Sequence, residues 1–168
     1  MPNVRFEVEQ TTCELGPDGA DKLQFLVSTN PGEPPKPIAK IASGGELSRI
    51  MLALKTVLSN QDLVGTMIFD EVDTGIGGSA AGKVGKKLKE VSRSRQVICV
   101  THSAQIAAMA ETQFRIEKKV SENRTFTDVR LLSHEERQKE IARMIGGADV
   151  TELTMKNAEE MLRLAQTS

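Results

Sequence analysis

An α/β fold, with a largely parallel central sheet, flanking helices and antiparallel edge hairpins, is predicted by three features of the sequence. Thr66 to Asp70 carries Met67, Ile68 and Phe69 as an unbroken apolar run, and Gln96 to Thr101 has the same character. Continuous rather than alternating apolarity is the pattern of strands covered on both faces. A helical stretch from Ser79 to Ser94 separates the two runs, which makes a βαβ unit with parallel strands. The third feature is K-I-A-S-G-G-E-L-S-R-I-M-L-A-L-K, Lys40 to Lys55, where a glycine pair opens an amphipathic helix. Its Leu47, Ile50, Met51, Leu54, Val57 and Leu58 recur at i, i+3, i+4, i+7, i+10 and i+11 and so line one face, with Arg49 and Lys55 on the other.

The remaining elements follow in order. Val4 to Glu9 alternates apolar and charged residues, and Leu23 to Thr29 is a second extended run beyond the turn residues Gly16 to Gly19, which predicts an antiparallel hairpin. Asn30 to Pro37 holds four prolines and is expected to be an irregular, stiff connector that delivers the chain to the glycine pair. Asn60 to Gly65 is a short link into the first apolar strand. Ser103 to Ala110 reads as a short helix capped by Ser103. Phe114 to Val120 and Thr125 to Leu132 flank S-E-N-R and form a second hairpin, expected at the edge of the sheet. Ser133 and Glu136 make a capping box for a helix with Ile141, Met144 and Ile145 inward, stopped by Gly146 and Gly147. A last helix starts near Thr151 and buries Leu153, Ala158, Met161, Leu162 and Ala165.

At 168 residues the chain has the length of one domain with a real core, burying roughly two-thirds of the unfolded surface. We expect a single domain: residues 1–42 as hairpin and connector, 43–132 as the chemical core, 133–168 as C-terminal helices. The net charge of −1, from 22 basic and 23 acidic residues, announces no global field for nucleic acid or membrane, so any such contact is local. Two cysteines, Cys13 and Cys99, argue for a reducing compartment, and the cytoplasm is the expected location. No apolar run approaches the roughly twenty residues of a membrane helix, and no signal-peptide pattern opens the chain. Without Trp or Tyr and with five Phe, stacking on exposed bases is an unpromising mode of recognition.

The polar residues concentrate where ligands bind such sheets, beyond the carboxyl ends of the strands. Ser43, Gly44 and Gly45 precede a helix whose first N–H groups and positive dipole end would attract an anion. Asp70 and Glu71 close the first apolar strand, where adjacent carboxylates point to opposite sides: one toward a metal, the other toward a nucleophile. His102 closes the second strand and is placed to donate to a terminal phosphate oxygen. Gly77 to Val84 fits the phosphate-loop pattern G-x-x-x-x-G-K, but Val84 has no hydroxyl for Mg²⁺, and the segment follows a polar loop rather than a strand. It reads as a Gly/Ala-rich helix start. Lys83, Lys86, Lys87, Lys89, Arg93 and Arg95, with Glu90 as the one acid among them, read as a solvated helix face, with a DNA contact as the alternative.

Together, S-G-G-E at Ser43 to Glu46, M-I-F-D-E at Met67 to Glu71, V-D-T-G at Val72 to Gly75 and T-H at Thr101 to His102 resemble, in order and spacing, the signature, Walker B, D-loop and His-switch motifs of ABC-type ATPases. Within that superfamily, the Lys40 to Lys55 stretch and F-D-E-V-D-T-G-I-G-G are similar to the RecN family of bacterial DNA repair proteins, relatives of the structural maintenance of chromosomes (SMC) family. The resemblance implies the C-terminal lobe of an ABC/SMC-type P-loop ATPase head. It implies ATP and Mg²⁺, with Asp70 on the metal, Glu71 polarising the attacking water, His102 sensing the γ-phosphate and Asp73 organising the partner subunit. Ser43, Gly44, Gly45 and Glu46 would bind the nucleotide held by the other subunit. The implied partners are the N-terminal half of the head, which carries the Walker A motif missing here, a second head joined through ATP, and DNA. The implied setting is the nucleoid, away from membranes. Two other readings stay open: a fragment of a transporter ATPase, and an interaction module without nucleotide chemistry. The Glu46-led helix departs from the Gln- and Arg-rich one that usually follows a transporter signature, and the intact Asp70, Glu71 and His102 set argues against silence.

Overall fold

In a computed structural model the chain is described at residues 4–29, 32–41, 43–58, 64–121 and 124–167. The expectations for Asn30, Pro31 and Ala42, for most of the Asn60 to Gly65 link and for the centre of the S-E-N-R turn lie outside these residues.

The chain opens with a long antiparallel hairpin, β1 (Arg5–Gly16) and β2 (Gly19–Ser28), in which Val8 faces Phe25 and Phe6 faces Val27. The rings of Phe6 and Phe25 lie 5.5 Å apart. Against expectation, part of the proline connector is regular: Lys36–Pro37 forms a short strand, β3, paired with Val27 and Leu26 of β2. Proline is tolerated there because β3 is the edge of its sheet, where a missing N–H is not needed.

The parallel unit is as the apolar runs predicted. β4 (Thr66–Phe69) and β5 (Gln96–Cys99) pair in register, Met67 beside Val97 and Phe69 beside Cys99, and α2 (Gly78–Ser92) connects them. Among the described residues this sheet has two strands. Both-sided coverage is not found. Met67 and Phe69 are buried, whereas Ile68 is 70% exposed, and Ile98 and Val100 also face outward. The covered face packs on α1 (Gly44–Val57) and α2 through Leu52, Leu88, Val91, Val72 and Ala81, with Ile106 closing the cluster. The opposite face is left exposed by the described residues, which is why an unbroken apolar run shows alternating burial.

A similar correction applies to α1. Ile50 is buried, but Leu47, Met51, Val57 and Leu58 of the expected inner face are exposed, and the deepest anchor is Leu52. The apolar stripe is real as a pattern, but the described residues supply a layer for one edge of it.

A second core joins α3 (Ala104–Ala107), α4 (His134–Gly146) and α5 (Glu152–Gln166) through Ala104, Ala107, Ile141, Ala142, Ala158 and Leu162. The capping box of α4 is formed: Ser133 Oγ accepts from Glu136 N at 3.3 Å, and Ser133 N donates to Glu136 Oε2 at 2.8 Å. Gly147 ends α4 at φ 74°. Ile145 and Leu153, expected inside, are exposed, Leu153 at 68%. Ser103 occupies the N-cap position of α3, but its hydroxyl donates to Gln105 Oε1 at 2.8 Å instead of capping. The second hairpin, β6 (Phe114–Ser121) and β7 (Arg124–Leu131), is hydrogen-bonded as a two-stranded sheet of its own. It is tied to α4 by Glu140, buried between Arg143 at 2.7 Å and Arg115 at 3.4 Å.

Candidate nucleotide site

Three segments that the sequence singled out meet at one end of the covered sheet face. α1 begins at Ser43, whose side chain accepts from Glu46 N at 3.4 Å while its carbonyl accepts from Leu47 N. One turn on, Ser48 Oγ donates to the carbonyl of Asp70 at 2.9 Å, and Arg49 donates to the carbonyls of Val72 at 3.2 Å and Thr74 at 2.8 Å. The helix is thereby stitched to the loop that follows β4. Neither Ser48 nor Arg49 was assigned this role from sequence; a polar residue beside an amphipathic stripe looks solvated until its partner loop is placed.

The glycine pair has a more specific reason than access for a ligand. A Cβ on Gly45 would stand 2.8 Å from the carbonyl oxygen of Glu71 and 2.9 Å from Thr74 Cβ, and one on Gly44 would stand 2.9 Å from Glu71 Oε2. At Gly45 contacts that short are with backbone and a Cβ, so only glycine there lets α1 approach the 71–74 loop, whereas the Gly44 contact is with the movable end of the Glu71 side chain. The helix N-terminus and the Glu71 carboxylate are therefore neighbours within one chain, an arrangement favoured by the positive end of the helix dipole.

Asp70 and Glu71 are both exposed at the carboxyl end of β4. Glu71 has φ 55°, the one non-glycine residue with positive φ among those described. A left-handed glutamate costs of order 1–3 kcal/mol, and such strain persists where surrounding contacts over-determine it. Here those contacts are Thr74 N donating to Glu71 O at 3.0 Å, and the glycine pair beneath.

The resemblance implied that Asp73 organises the partner subunit. The residue is 1% exposed and points into its own chain. Its Oδ2 accepts from Thr101 Oγ1 at 2.5 Å, His102 N at 2.9 Å and Ser103 N at 3.0 Å, and lies 3.2 Å from His102 Nδ1. Burial pushes its pKa up, but the Thr101 and backbone hydrogen bonds and the nearby His102 outweigh burial and hold it below the usual carboxylate value. With Nδ1 against Asp73, the imidazole of His102, 78% exposed, presents Nε2 outward. Thr101 was visible in the sequence as the partner of His102 in T-H, but its bond to a residue 28 positions earlier was not. Cys99, just below, has its thiol pushed up to about 12 by burial and by the charges of Asp73 and Asp70.

Among the described residues no three His, Cys, Asp or Glu side chains converge to hold a metal by themselves. Asp70, an exposed carboxylate at a strand end, fits an ion such as Mg²⁺, which keeps most of its waters and takes one or two carboxylates together with substrate phosphates. The rejected phosphate loop is indeed a helix start: α2 begins at Gly78, and Lys83 lies inside it, exposed.

Comparison with known proteins agrees with this geometry. No family model matches the chain. It is 53% identical to the DNA repair protein RecN of Halalkalibacterium halodurans over 98% of its own length and 30% of the relative's. It is 49% identical to RecN of Bacillus subtilis (90% and 26%) and 47% identical to RecN of Haemophilus influenzae (98% and 30%). The chain thus spans about 30% of the length of these relatives. Its fold is similar to the Smc head domain with an extended coiled coil bound to the C-terminal domain of ScpA from Pyrococcus furiosus, at TM-score 0.57, 22% identity and coverage of 86% of this chain and 34% of that one. It is also similar to the Smc head domain with a coiled coil and joint from Pyrococcus yayanosii, at TM-score 0.56, 23% identity and coverage of 83% and 26%. The fold is that of part of an SMC-type ATPase head, and the chain belongs to the RecN family of DNA repair proteins.

Proposed function

We propose that this chain is the C-terminal lobe of an ATPase head in an SMC-like protein of DNA double-strand break repair, and that it acts by ATP-dependent dimerisation of heads. The observation that carries the reading is the convergence at one sheet end of Asp70, Glu71 and His102, from adjacent parallel strands, with the N-terminus of α1 packed beside them. ATP is the substrate. Asp70 would hold Mg²⁺, whose charge would offset that of the phosphates. Glu71 takes a proton from, and orients, the attacking water; His102 offers Nε2 to the γ-phosphate while Asp73 fixes its ring. Thr101, His102 and Ser103 are held to the loop after β4 through one carboxylate, so the two strand ends move as a unit.

No part of the described chain supplies a phosphate cradle with its lysine. The bare sheet face of Ile68, Ile98 and Val100 is the surface on which the complementary N-terminal half, bearing Walker A, would pack. The lobe alone is accordingly expected to bind ATP weakly and turn it over negligibly. A solved SMC ATPase chain from work on ATP-driven dimerization and DNA stimulated activation has a similar fold (TM-score 0.51, 20% identity, 86% of this chain and 84% of that one), and the dimerisation proposed here follows that precedent.

Ser43, Gly44 and Gly45 act on the nucleotide of the opposite head in this scheme, with helix N–H groups and dipole receiving its γ-phosphate. The test mixes complete heads: Ser43→Arg, which fills the anion site with a tethered side chain, against a subunit lacking its phosphate-binding lysine. A shared site predicts that the heterodimer regains part of the activity both homodimers lack. No recovery in confirmed heterodimers would sink the mechanism.

A further inference from the structure

The small net charge of the chain conceals a separation. Residues 78–95 hold six of the 22 basic residues and one of the 23 acids, a local +5, which leaves 16 bases and 22 acids, or −6, on the rest. Folding puts this charge on one side of a helix. Ala81, Gly85, Leu88 and Val91 turn α2 inward, while Lys83, Lys86, Lys87, Glu90 and Arg93 are exposed. The three-and-four spacing of the buried set forces the lysines to the opposite side.

Within that ridge the cations are not equivalent. Lys87 pairs with Glu90 at 2.6 Å, and Lys89 donates to the carbonyl of Ala165 at the end of α5, which pins the helix in place. Lys83, Lys86 and Arg93 have no such partner among the described residues. They span about 15 Å along the helix axis, and Lys86, Lys89, Glu90 and Arg93 border a shallow depression of about 230 Å³. No apolar side chain interrupts the ridge, and lysine dominates it. Protein interfaces are depleted in lysine and require an apolar or aromatic centre, so the ridge is poorly made for a protein partner. A phosphate backbone needs only cations, unpaired and spread along a line.

We propose that the outward face of α2, through Lys83, Lys86 and Arg93, is a sequence-independent contact for the phosphate backbone of duplex nucleic acid. The contact belongs to the same repair function but needs no nucleotide chemistry, since Asp70, Glu71 and His102 lie at the sheet end and not on this helix face. It is therefore tested without ATP, so that its failure and the failure of the ATPase reading are separate results.

The measurement is equilibrium binding of the complete head to a short mixed-sequence DNA duplex across a series of salt concentrations. An RNA duplex of equal length and poly-glutamate serve as the other arms. Each phosphate contact contributes about 0.9 to the slope of log K against log salt, so the triple variant Lys83→Gln, Lys86→Gln, Arg93→Gln should lose up to about 2.7 of that slope. Equal losses on DNA and RNA assign the ridge to the shared phosphate chemistry; a loss on one alone assigns it to that duplex. The charge-preserving variant Lys83→Arg, Lys86→Arg, Arg93→Lys should keep the slope, which separates lost charge from a damaged helix. An unchanged slope in the neutralised variant overturns the proposal. So does poly-glutamate binding that the neutralised variant loses while its duplex binding is retained, which would assign the face to an acidic protein.

Discussion

The Oδ2 atom of Asp73 accepts the backbone N–H of His102 at 2.9 Å and stands 3.2 Å from Nδ1 of the same residue, so one buried carboxylate sets both the position of the β5 end and the orientation of its imidazole. Removing that carboxylate with Asp73→Ala strands the Thr101 hydroxyl and the N–H of His102, while the N–H of Ser103 keeps Thr101 Oγ1 at 3.0 Å. An unsatisfied buried group costs about 1–3 kcal/mol, and these donors are only partly buried, so the variant should lose about 1–3 kcal/mol in denaturant unfolding of the complete head. A change within experimental error would mean the clamp is not formed.

The same residue predicts a pH effect with a definite sign. Its folded-state pKa is depressed, so its contribution is fully present above the ordinary carboxylate value of 3.8 and is lost as pH falls through the lower folded value. Denaturant midpoints measured downward from pH 5 should fall less steeply in Asp73→Asn than in the wild type, because the amide does not titrate. Parallel curves would contradict the assignment.

Gly45→Ala should be costly although the position opens a helix, where alanine is usually favoured. Its Cβ would meet Glu71 O at 2.8 Å and Thr74 Cβ at 2.9 Å, neither of which can yield without moving the 71–74 loop. Overpacking of this kind costs typically about 1–3 kcal/mol. We expect a lower melting temperature and, in the complete head, slower hydrolysis; a more stable Gly45→Ala protein would contradict the close approach.

Glu71 is held at φ 55°, which glycine adopts freely. Glu71→Gly should therefore retain or raise stability, by roughly 1 kcal/mol, while abolishing ATP turnover in the complete head. Glu71→Gln keeps the strain and the shape but loses the base, and should slow hydrolysis about 10²- to 10⁴-fold while still binding ATP and trapping closed dimers. Near-normal turnover in either variant would move the base elsewhere.

The two cysteines should separate under alkylation. Cys13 is exposed on β1, whereas the Cys99 thiol is half-buried and pushed up to about 12, leaving almost no thiolate at neutral pH. Mass spectrometry after brief iodoacetamide treatment of the native protein should find Cys13 modified and Cys99 intact. Rapid modification of Cys99 would argue that the β5 end is open.

The sequence by itself determined most of the elements and where the polar residues lie among them. The apolar runs ending in Asp70-Glu71 and Thr101-His102 define a parallel pair with polar carboxyl ends, the stripe after Ser43 defines α1, and Ser133 with Glu136 defines the start of α4, because each signal is written in residues only a few positions apart. Tertiary structure alone decided what faces what. That Asp73 is buried was not legible, because its partners, Thr101 to Ser103, are nearly thirty positions away and no local period reports them. Gly45 advertised room for a ligand, but the atoms that exclude a Cβ there belong to Glu71 and Thr74 of the same chain. Ile68, Ile98 and the outer stripe of α1 are exposed for a related reason: apolarity records that a surface can be covered, whereas coverage depends on a packing layer that the described residues do not place there.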